Sequence, residues 1–305
     1  TMRATESLEK MYSIIKNAYY VGINHIETAP SYGDAESLIG NSIKKLAIEE
    51  NIKEKNWVIT SKVLPKGDFD FLKNNFKKSL KNLNREKINN LAIHGLNLKQ
   101  HLDWVLAGEG KKFISWILEK ELVDQVGFSS HGSYSLIKDA INCEVFTFCS
   151  LHLHYLDQSK IALAEEAIKK GMGVLAISPA DKGGRLYSPS DILIEASKPF
   201  HPLELAYRFL LAKGITTLSL GATNKKDFEF AHKLRNSFEK LTKLEKSALN
   251  KIEEVSNERL NSTKCEQCRS CLPCPNEVPI PEILRLRNIS IGYGQLEFSK
   301  ERYNL

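Results

Sequence analysis

"GINHIETAPSYG", residues 22–33, holds a short β-branched run that breaks into a Pro-Ser-Tyr-Gly turn. Such a run stopped by Pro and Gly reads as a strand that delivers its last residues into a loop. Six further runs have the same character: "WVITSKV" from Trp57, "INNLAIH" from Ile88, "VDQVGFS" from Val123, "VFTFCSLHL" from Val145, "GVLAIS" from Gly173 and "TTLSLGA" from Thr216. Charged stretches of helical periodicity lie between them. In "DFLKNNFKKSLKNLN", Phe71, Leu72, Phe76, Leu80 and Leu83 are expected on one helical face. Repeated strand–helix units imply a parallel sheet covered by helices. Their near-even spacing favours a closed (β/α)8 TIM barrel over an open doubly wound sheet. The count is one short of eight. The first helical stretch, "ESLEKMYSIIKNAYYVG", follows Thr1 and Met2 almost at once, so the first strand is expected upstream of residue 1 or is missing from this chain. No Gly-rich phosphate loop follows the first visible strand, so a Rossmann fold lacks its fingerprint.

With 305 residues, 42% hydrophobic and 26% charged, the chain can bury a sizeable core. Its formal charge of +6 is spread as single Lys and Arg residues among nearly as many acids. No basic arm tracks a phosphate backbone, so nucleic acid is not an expected partner, while a mildly positive surface favours anionic cofactors. No apolar run is long enough to span a bilayer and no secretory leader pattern is present, so no membrane partner is expected and the expected location is cytoplasmic. After Asn261 the strand–helix rhythm gives way to cysteine, proline and "IPEILRLRN". The expected division is a barrel at 1–261 and a small appended module at 262–305, cut short near "SKERYNL".

Four residues stand where strands end: Glu27 and then Tyr32 in "GINHIETAPSYG", Lys62 in "TSKV" and His94 in "AIHG". In a (β/α)8 barrel these strand ends share the C-terminal rim, where active sites are built. Singly, each has an ordinary structural role: a carboxylate cap, a packed loop tyrosine, a hydrogen-bonded core histidine. Their order on consecutive strands is what points to a site.

At these residues the chain resembles the aldo-keto reductase family. The resemblance rests on "ETAPSYG", "TSKV", "LAIHG", "GFSSHG" at 127–132, "SPADKGGRL" at 178–186 and "GATNKKDF" at 221–228, and covers about residues 1–250. It implies reduction of an aldehyde or ketone, a small-molecule carbonyl substrate, by NADPH or NADH. Tyr32 would be the general acid. Lys62 would lower the phenol's pKa from its ordinary value of about 10. Glu27 would hold Lys62, and His94 would orient the carbonyl oxygen. The implied cofactor contacts are Ser129, Ser130 and Ser150 for the nicotinamide amide, Ser178, and the backbone of Gly221, Ala222, Thr223 and Asn224 for the adenosine phosphate. The chain departs from the family pattern in several places. Glu27 replaces an aspartate, Ser130 an asparagine and Ser150 a glutamine. No aromatic stands at Ile177, and Asp227 takes the place of an arginine common in NADPH-preferring members, with Lys225 and Lys226 beside it. These departures keep a second reading open: a catalytically weakened nucleotide-binding sensor or scaffold whose cysteine module serves electron transfer or partner contact.

Of six cysteines, Cys143 and Cys149 lie in apolar "NCEVFTFCSL" and are expected in the core. Cys265, Cys268, Cys271 and Cys274 fall in "CEQCRSCLPCP". Zinc sites usually separate two cysteine pairs by a longer loop than this run contains. Disulfides are disfavoured by a reducing compartment. Successive Cys-x2-Cys steps closed by Cys-Pro fit an iron–sulfur site best, although the last step differs from the bacterial ferredoxin spacing. With "IPEILRLRN", the run resembles the tail of a reductase subgroup with ferredoxin-type motifs. That implies a 4Fe-4S electron-transfer module, an electron-transfer partner, and further cysteines from beyond Leu305, without which the cluster is incomplete here.

Overall fold

All seven strand-like runs enter one parallel sheet in chain order: β1 (His25–Glu27), β2 (Val58–Val63), β3 (Ile88–Ile93), β4 (Val123–Ser130), β5 (Phe148–His152), β6 (Gly173–Ile177) and β7 (Thr217–Leu218). The computed structural model describes residues 7–181, 184–268 and 270–304. Expectations placed on Thr1, Met2, the Lys182-Gly183 part of "SPADKGGRL", Arg269 and Leu305 lie outside these. Parallel neighbours cannot be joined by tight hairpins, so each connection crosses over through helix. α1 (Leu8–Tyr20) precedes β1, and the first five crossovers use α2 (Ala35–Glu49), α3 (Phe69–Asn82), α4 (Lys99–Ala107) with α5 (Glu109–Glu119), α6 (Tyr134–Asn142) and α7 (Ile161–Lys169).

The chain divides into two compact units. The first holds the stretch up to His152 with Leu163–Ile177 and Ile215–Arg235, and therefore the whole sheet; the second holds Leu153–Ala162, Ser178–Gly214 and the residues from Asn236 onward.

In the first unit, α3 shows how sequence becomes packing. Asp68 caps it by accepting from the Phe71 N–H at 2.8 Å. Leu72, Phe76 and Leu80 are buried, and Phe76 meets Phe113 of α5 with ring centroids 6.0 Å apart. Full burial of such a phenylalanine stabilises by about 2–3 kcal/mol. Phe71, expected on this face, is 47% exposed. It precedes Leu72 by one residue, about 100° around the helix, which turns it off the apolar stripe. Gly127 of β4 is required sterically, because a Cβ there would lie 2.4 Å from the Phe148 carbonyl oxygen of β5.

His25, Thr60 and Asn90 join β1, β2 and β3. The Asn90 amide donates to Thr60 Oγ1 at 3.0 Å, which directs the hydroxyl proton to His25 Nε2 at 2.7 Å. Burial lowers the His25 pKa, in keeping with this neutral, Nδ1-protonated ring. Ile14 and Ala18 of α1 pack with Ala222 and Phe228 from the segment after β7, joined by Val21, Ile23 and Leu220. This apolar cluster joins α1 to the segment that follows β7. Among the described residues the sheet has seven strands, matching the seven read from sequence.

The second unit contains α8 (Asp191–Ser197), α9 (Pro202–Ala212), α11 (Lys243–Leu260), α12 (Ile280–Gly292) and α13 (Leu296–Tyr303), while α10 (Glu229–Leu234) belongs to the first. Arg208 of α9 is buried and donates through Nε to Glu245 Oε1 at 2.6 Å. Glu245 also accepts from the Thr242 N–H at 2.7 Å and so closes the capping box that starts α11. Residues 262–304 pack within this unit, α12 lying against both α11 and α13.

Cys149 is fully buried in β5, and burial pushes its thiol up to about 12. Cys143 ends α6 half-buried, its Sγ 3.1 Å from the Ala140 carbonyl oxygen, because a helix terminus leaves one side open. No helix among the described residues is long and apolar enough to cross a membrane.

Candidate active site

Glu27 is the last residue of β1 and pairs in register with Thr60 of β2; Lys62 lies two residues further along β2. The chain leaving β1 turns at once, the Tyr32 N–H donating to the Ala29 carbonyl at 3.0 Å and Gly33 taking a φ of +62°. That turn brings the Tyr32 hydroxyl back over β2. Lys62, only 2% exposed, has three ammonium protons and three acceptors. It forms an ion pair with Glu27, and donates to the Thr28 carbonyl at 3.0 Å and to the Tyr32 phenolic oxygen at 3.1 Å. A buried ammonium is tolerated only with such compensation. Glu27, one methylene longer than the aspartate of the family pattern, reaches Lys62 while its own side chain stays 21% exposed.

His94 directly follows β3, its N–H donating to the Val63 carbonyl at 2.7 Å. Its ring stands edge-on to Tyr32 at 87°, centroids 5.9 Å apart, and Nδ1 lies 3.5 Å from Ser31 Oγ. Glu27, Tyr32, Lys62 and His94 are thus brought together as the sequence predicted. The assembly can place a phenolic proton donor and an imidazole side by side, with a compensated positive charge behind the phenol.

The residues expected to meet the cofactor differ among themselves. Ser129 Oγ accepts from the Gly95 N–H at 3.0 Å and keeps its own proton to donate. Ser130 Oγ is committed on both sides, donating to the Leu96 carbonyl at 2.6 Å and accepting from the Gly132 N–H at 3.0 Å. Ser150, beside Ser129 in register, is fully buried and its hydroxyl has no hydrogen-bond partner among the described residues. Ala222 is buried, and Gly221, Thr223 and Asn224 are exposed. Asp227 Oδ2 accepts from the Thr223 N–H at 2.7 Å and the Asn224 N–H at 3.1 Å, with the Thr223 hydroxyl at 3.0 Å. An internal carboxylate therefore takes amides expected to face a phosphate. Burial alone would raise the Asp227 pKa, but these hydrogen bonds outweigh it and hold the carboxyl below its ordinary value. Ser178 belongs to the second unit and has a φ of +56°, a left-handed conformation that costs a serine about 1–3 kcal/mol.

Sequence reasoning missed the Thr28 carbonyl, Ser31 and the role of Asp227. It also missed His131 and His152, whose rings stack with centroids 4.2 Å apart at the ends of β4 and β5. Their period-two spacing from Ser129 and Ser150 was the available signal.

In the cysteine run, Cys268 and Cys271 are exposed and Cys265 and Cys274 half-buried. Among the described residues no group of three or more His, Cys, Asp or Glu side chains is placed to hold a metal. As arranged, the four thiols do not fit a cluster as its ligand set. Cys265 is instead anchored through its backbone, its N–H donating to Asn288 Oδ1 at 3.1 Å and its carbonyl accepting from Asn288 Nδ2 at 2.8 Å.

Residues 2–257 match the Aldo/keto reductase family. The chain is 25% identical over 196 residues to aldo-keto reductase str7 of Strobilurus tenacellus, covering 61% of this chain and 56% of that protein. It is 29% identical over 180 residues to an aldose reductase of Encephalitozoon cuniculi, covering 54% and 58% respectively. The chain thus spans little more than half the length of these curated relatives. Among solved structures, an aldo-keto reductase from Bacillus halodurans in its holo form superposes with a TM-score of 0.69 at 18% identity, covering 82% of this chain and 89% of the other. A Bombyx mori aldo-keto reductase in complex with NADP gives 0.63 at 19% identity, covering 81% and 84%. These structural likenesses show the (β/α)8-barrel fold. With the family match extending over most of its length, the chain belongs to the Aldo/keto reductase family.

Proposed function

We propose that the protein reduces an aldehyde or ketone with NADPH or NADH, with Tyr32 as general acid. The observation that carries this is the triple coordination of the buried Lys62 ammonium by Glu27, the Thr28 carbonyl and Tyr32. The nicotinamide cofactor, when bound, supplies a hydride. The buried Ser150 hydroxyl, without a partner among the described residues, and Ser129, with a proton still to give, suit its carboxamide, which both donates and accepts. Lys62 donates to the phenolic oxygen of Tyr32, and the phenol would give its own proton to the substrate oxygen. The ammonium stabilises the phenolate that remains, Glu27 keeps the ammonium compensated, and His94 orients the carbonyl from the adjacent strand end. Tyr32→Phe is expected to lower reduction of a panel of aldehydes and ketones by at least about 10²-fold while leaving nucleotide affinity within about twofold. A wild-type protein that binds nucleotide without turnover on that panel would instead favour the sensor or scaffold reading.

For the cysteine run, an iron–sulfur role rests on the spacing of Cys265, Cys268, Cys271 and Cys274 together with "IPEILRLRN". It requires ligands from outside the run, and no step of the reduction passes through it. Iron and sulfide analysis of the full-length protein, with the cysteines expected beyond Leu305, purified anaerobically tests this role. Matched iron and sulfide would support it, and a colourless protein lacking both would sink it together with the implied electron-transfer partner.

A further inference from the structure

We propose that Asn97 is a positioning residue for the carbonyl reduction: its carboxamide ties the turn that carries His94 to the end of β4 and so fixes the imidazole beside Tyr32. The positioning role rests on the reductase reading of His94, while the clamp itself is made by side chains and backbone of the first unit alone.

The turn after β3 has little to hold it from within. Between His94, whose N–H is bound to the Val63 carbonyl, and Lys99, where α4 starts, Gly95 takes a φ of +72° and Asn97 and Leu98 stand exposed. Register pairing of β3 with β4 stops at Ile93 and Phe128, so the residues from His94 and Ser129 onward depend on other bonds. β4 supplies them. Ser129 offers its Oγ to the Gly95 N–H at 3.0 Å and its carbonyl to the Leu96 N–H at 2.8 Å, and the Ser130 hydroxyl donates to the Leu96 carbonyl at 2.6 Å. Asn97 adds a fourth, made by a side chain of the turn itself: its Oδ1 accepts from the His131 N–H at 2.7 Å. This contact also fixes the carboxamide, since a flipped amide would set Nδ2 against an N–H donor.

On its other side Asn97 is held from α4. His101 Nδ1 lies 3.2 Å from the Asn97 N–H and 3.1 Å from the Gly95 carbonyl; in either tautomer it engages one of these groups, so the ring spans the turn. Asn97 therefore joins α4, the His94 turn and the end of β4. The consequence reaches β5, because the His131 ring stacks on that of His152 with centroids 4.2 Å apart. Removing the carboxamide leaves His94 tied to β2 through its N–H and loosens the turn that follows. An imidazole that orients a carbonyl must be held closely, since misplacement by about 1 Å can cost about 10²-fold in rate.

The test uses the full chain as wild type, Asn97→Ala, Asn97→Asp, His94→Ala and the combination of His94→Ala with Asn97→Ala. Hydrogen exchange without substrate or nucleotide reads the clamp. Asn97→Ala should speed exchange of the Gly95, Leu96 and His131 amides by about tenfold while β1 to β3 keep their protection, and Asn97→Asp, which retains an acceptor for His131, should restore most of it. On the aldehyde and ketone panel kcat/KM should fall about tenfold in Asn97→Ala and largely recover in Asn97→Asp. In the His94→Ala background the same Asn97→Ala change should cost less than about twofold, which a merely structural contribution would not show. Unchanged exchange in Asn97→Ala overturns the clamp, whatever reaction the protein carries out. Lost protection with unchanged kcat/KM overturns the positioning role, and equal losses with and without His94 overturn its route through that residue. A wild-type protein without turnover on the panel overturns the reductase reading and the positioning role with it, while the exchange result still decides the clamp.

Discussion

Glu27→Gln leaves the Lys62 ammonium 98% buried with its two neutral acceptors and no counter-charge. Opposite unit charges about 3 Å apart in an effective dielectric of about 20 attract by about 5 kcal/mol. Two features reduce the net loss. Glu27 is 21% exposed, so water reaches the position, and the glutamine oxygen can still accept one bond. Removing one member of a fully buried pair costs about 3–5 kcal/mol; with this relief the expected loss is about 2–3 kcal/mol. Trp57, Trp104 and Trp116 all lie in the unit that contains the site, so urea unfolding followed by tryptophan fluorescence reports on it. The same variant should lose about 10²-fold in carbonyl reduction, because the charge that stabilises the phenolate is no longer held in place. A stability change below about 0.5 kcal/mol would refute the claim that Glu27 compensates Lys62. Full activity at reduced stability would separate the ion pair from the chemistry.

Asp227→Arg should free the Thr223 and Asn224 amides and replace a negative with a positive charge, raising the ratio of NADPH to NADH affinity by about tenfold or more; paired titrations with the two nucleotides check this. His25 gives a pH dependence. Burial lowers its folded pKa while the unfolded value is about 6.5, so its contribution is present above about pH 6.5 and is lost as pH falls through the folded value. His25→Gln should flatten the stability profile between pH 7 and 5 by up to about 1.4 kcal/mol per pH unit, measured by urea midpoints across that range.

The strands were legible because each is a short apolar run bounded by turn residues, and the run that places Glu27, Lys62 and His94 also names the strand end each occupies. The face of α3 was readable to within one residue: Leu72, Phe76 and Leu80 follow the helical period, and Phe71 lies one step outside it. Ser129, Ser130 and Ser150 look alike in the text, yet one hydroxyl is saturated, one half-used and one without a partner among the described residues. That difference depends on which backbone groups the neighbouring loop offers, and loop conformation is not periodic.

By itself, the sequence determined the parallel strand–helix order and the strand-end placement of four chemical groups, since both are carried by local pattern and spacing, and its motifs carried the resemblance to the family. Only the tertiary structure decided that Glu27 reaches Lys62, that Asp227 occupies the Thr223 and Asn224 amides, and that Asp181 of one loop is shared by Arg185 and Arg285 from a helix a hundred residues on. Those outcomes are distances between residues far apart in the chain or reached around a turn. An ångström either way changes a paired charge into an unpaired one, and residue type alone does not contain that distance.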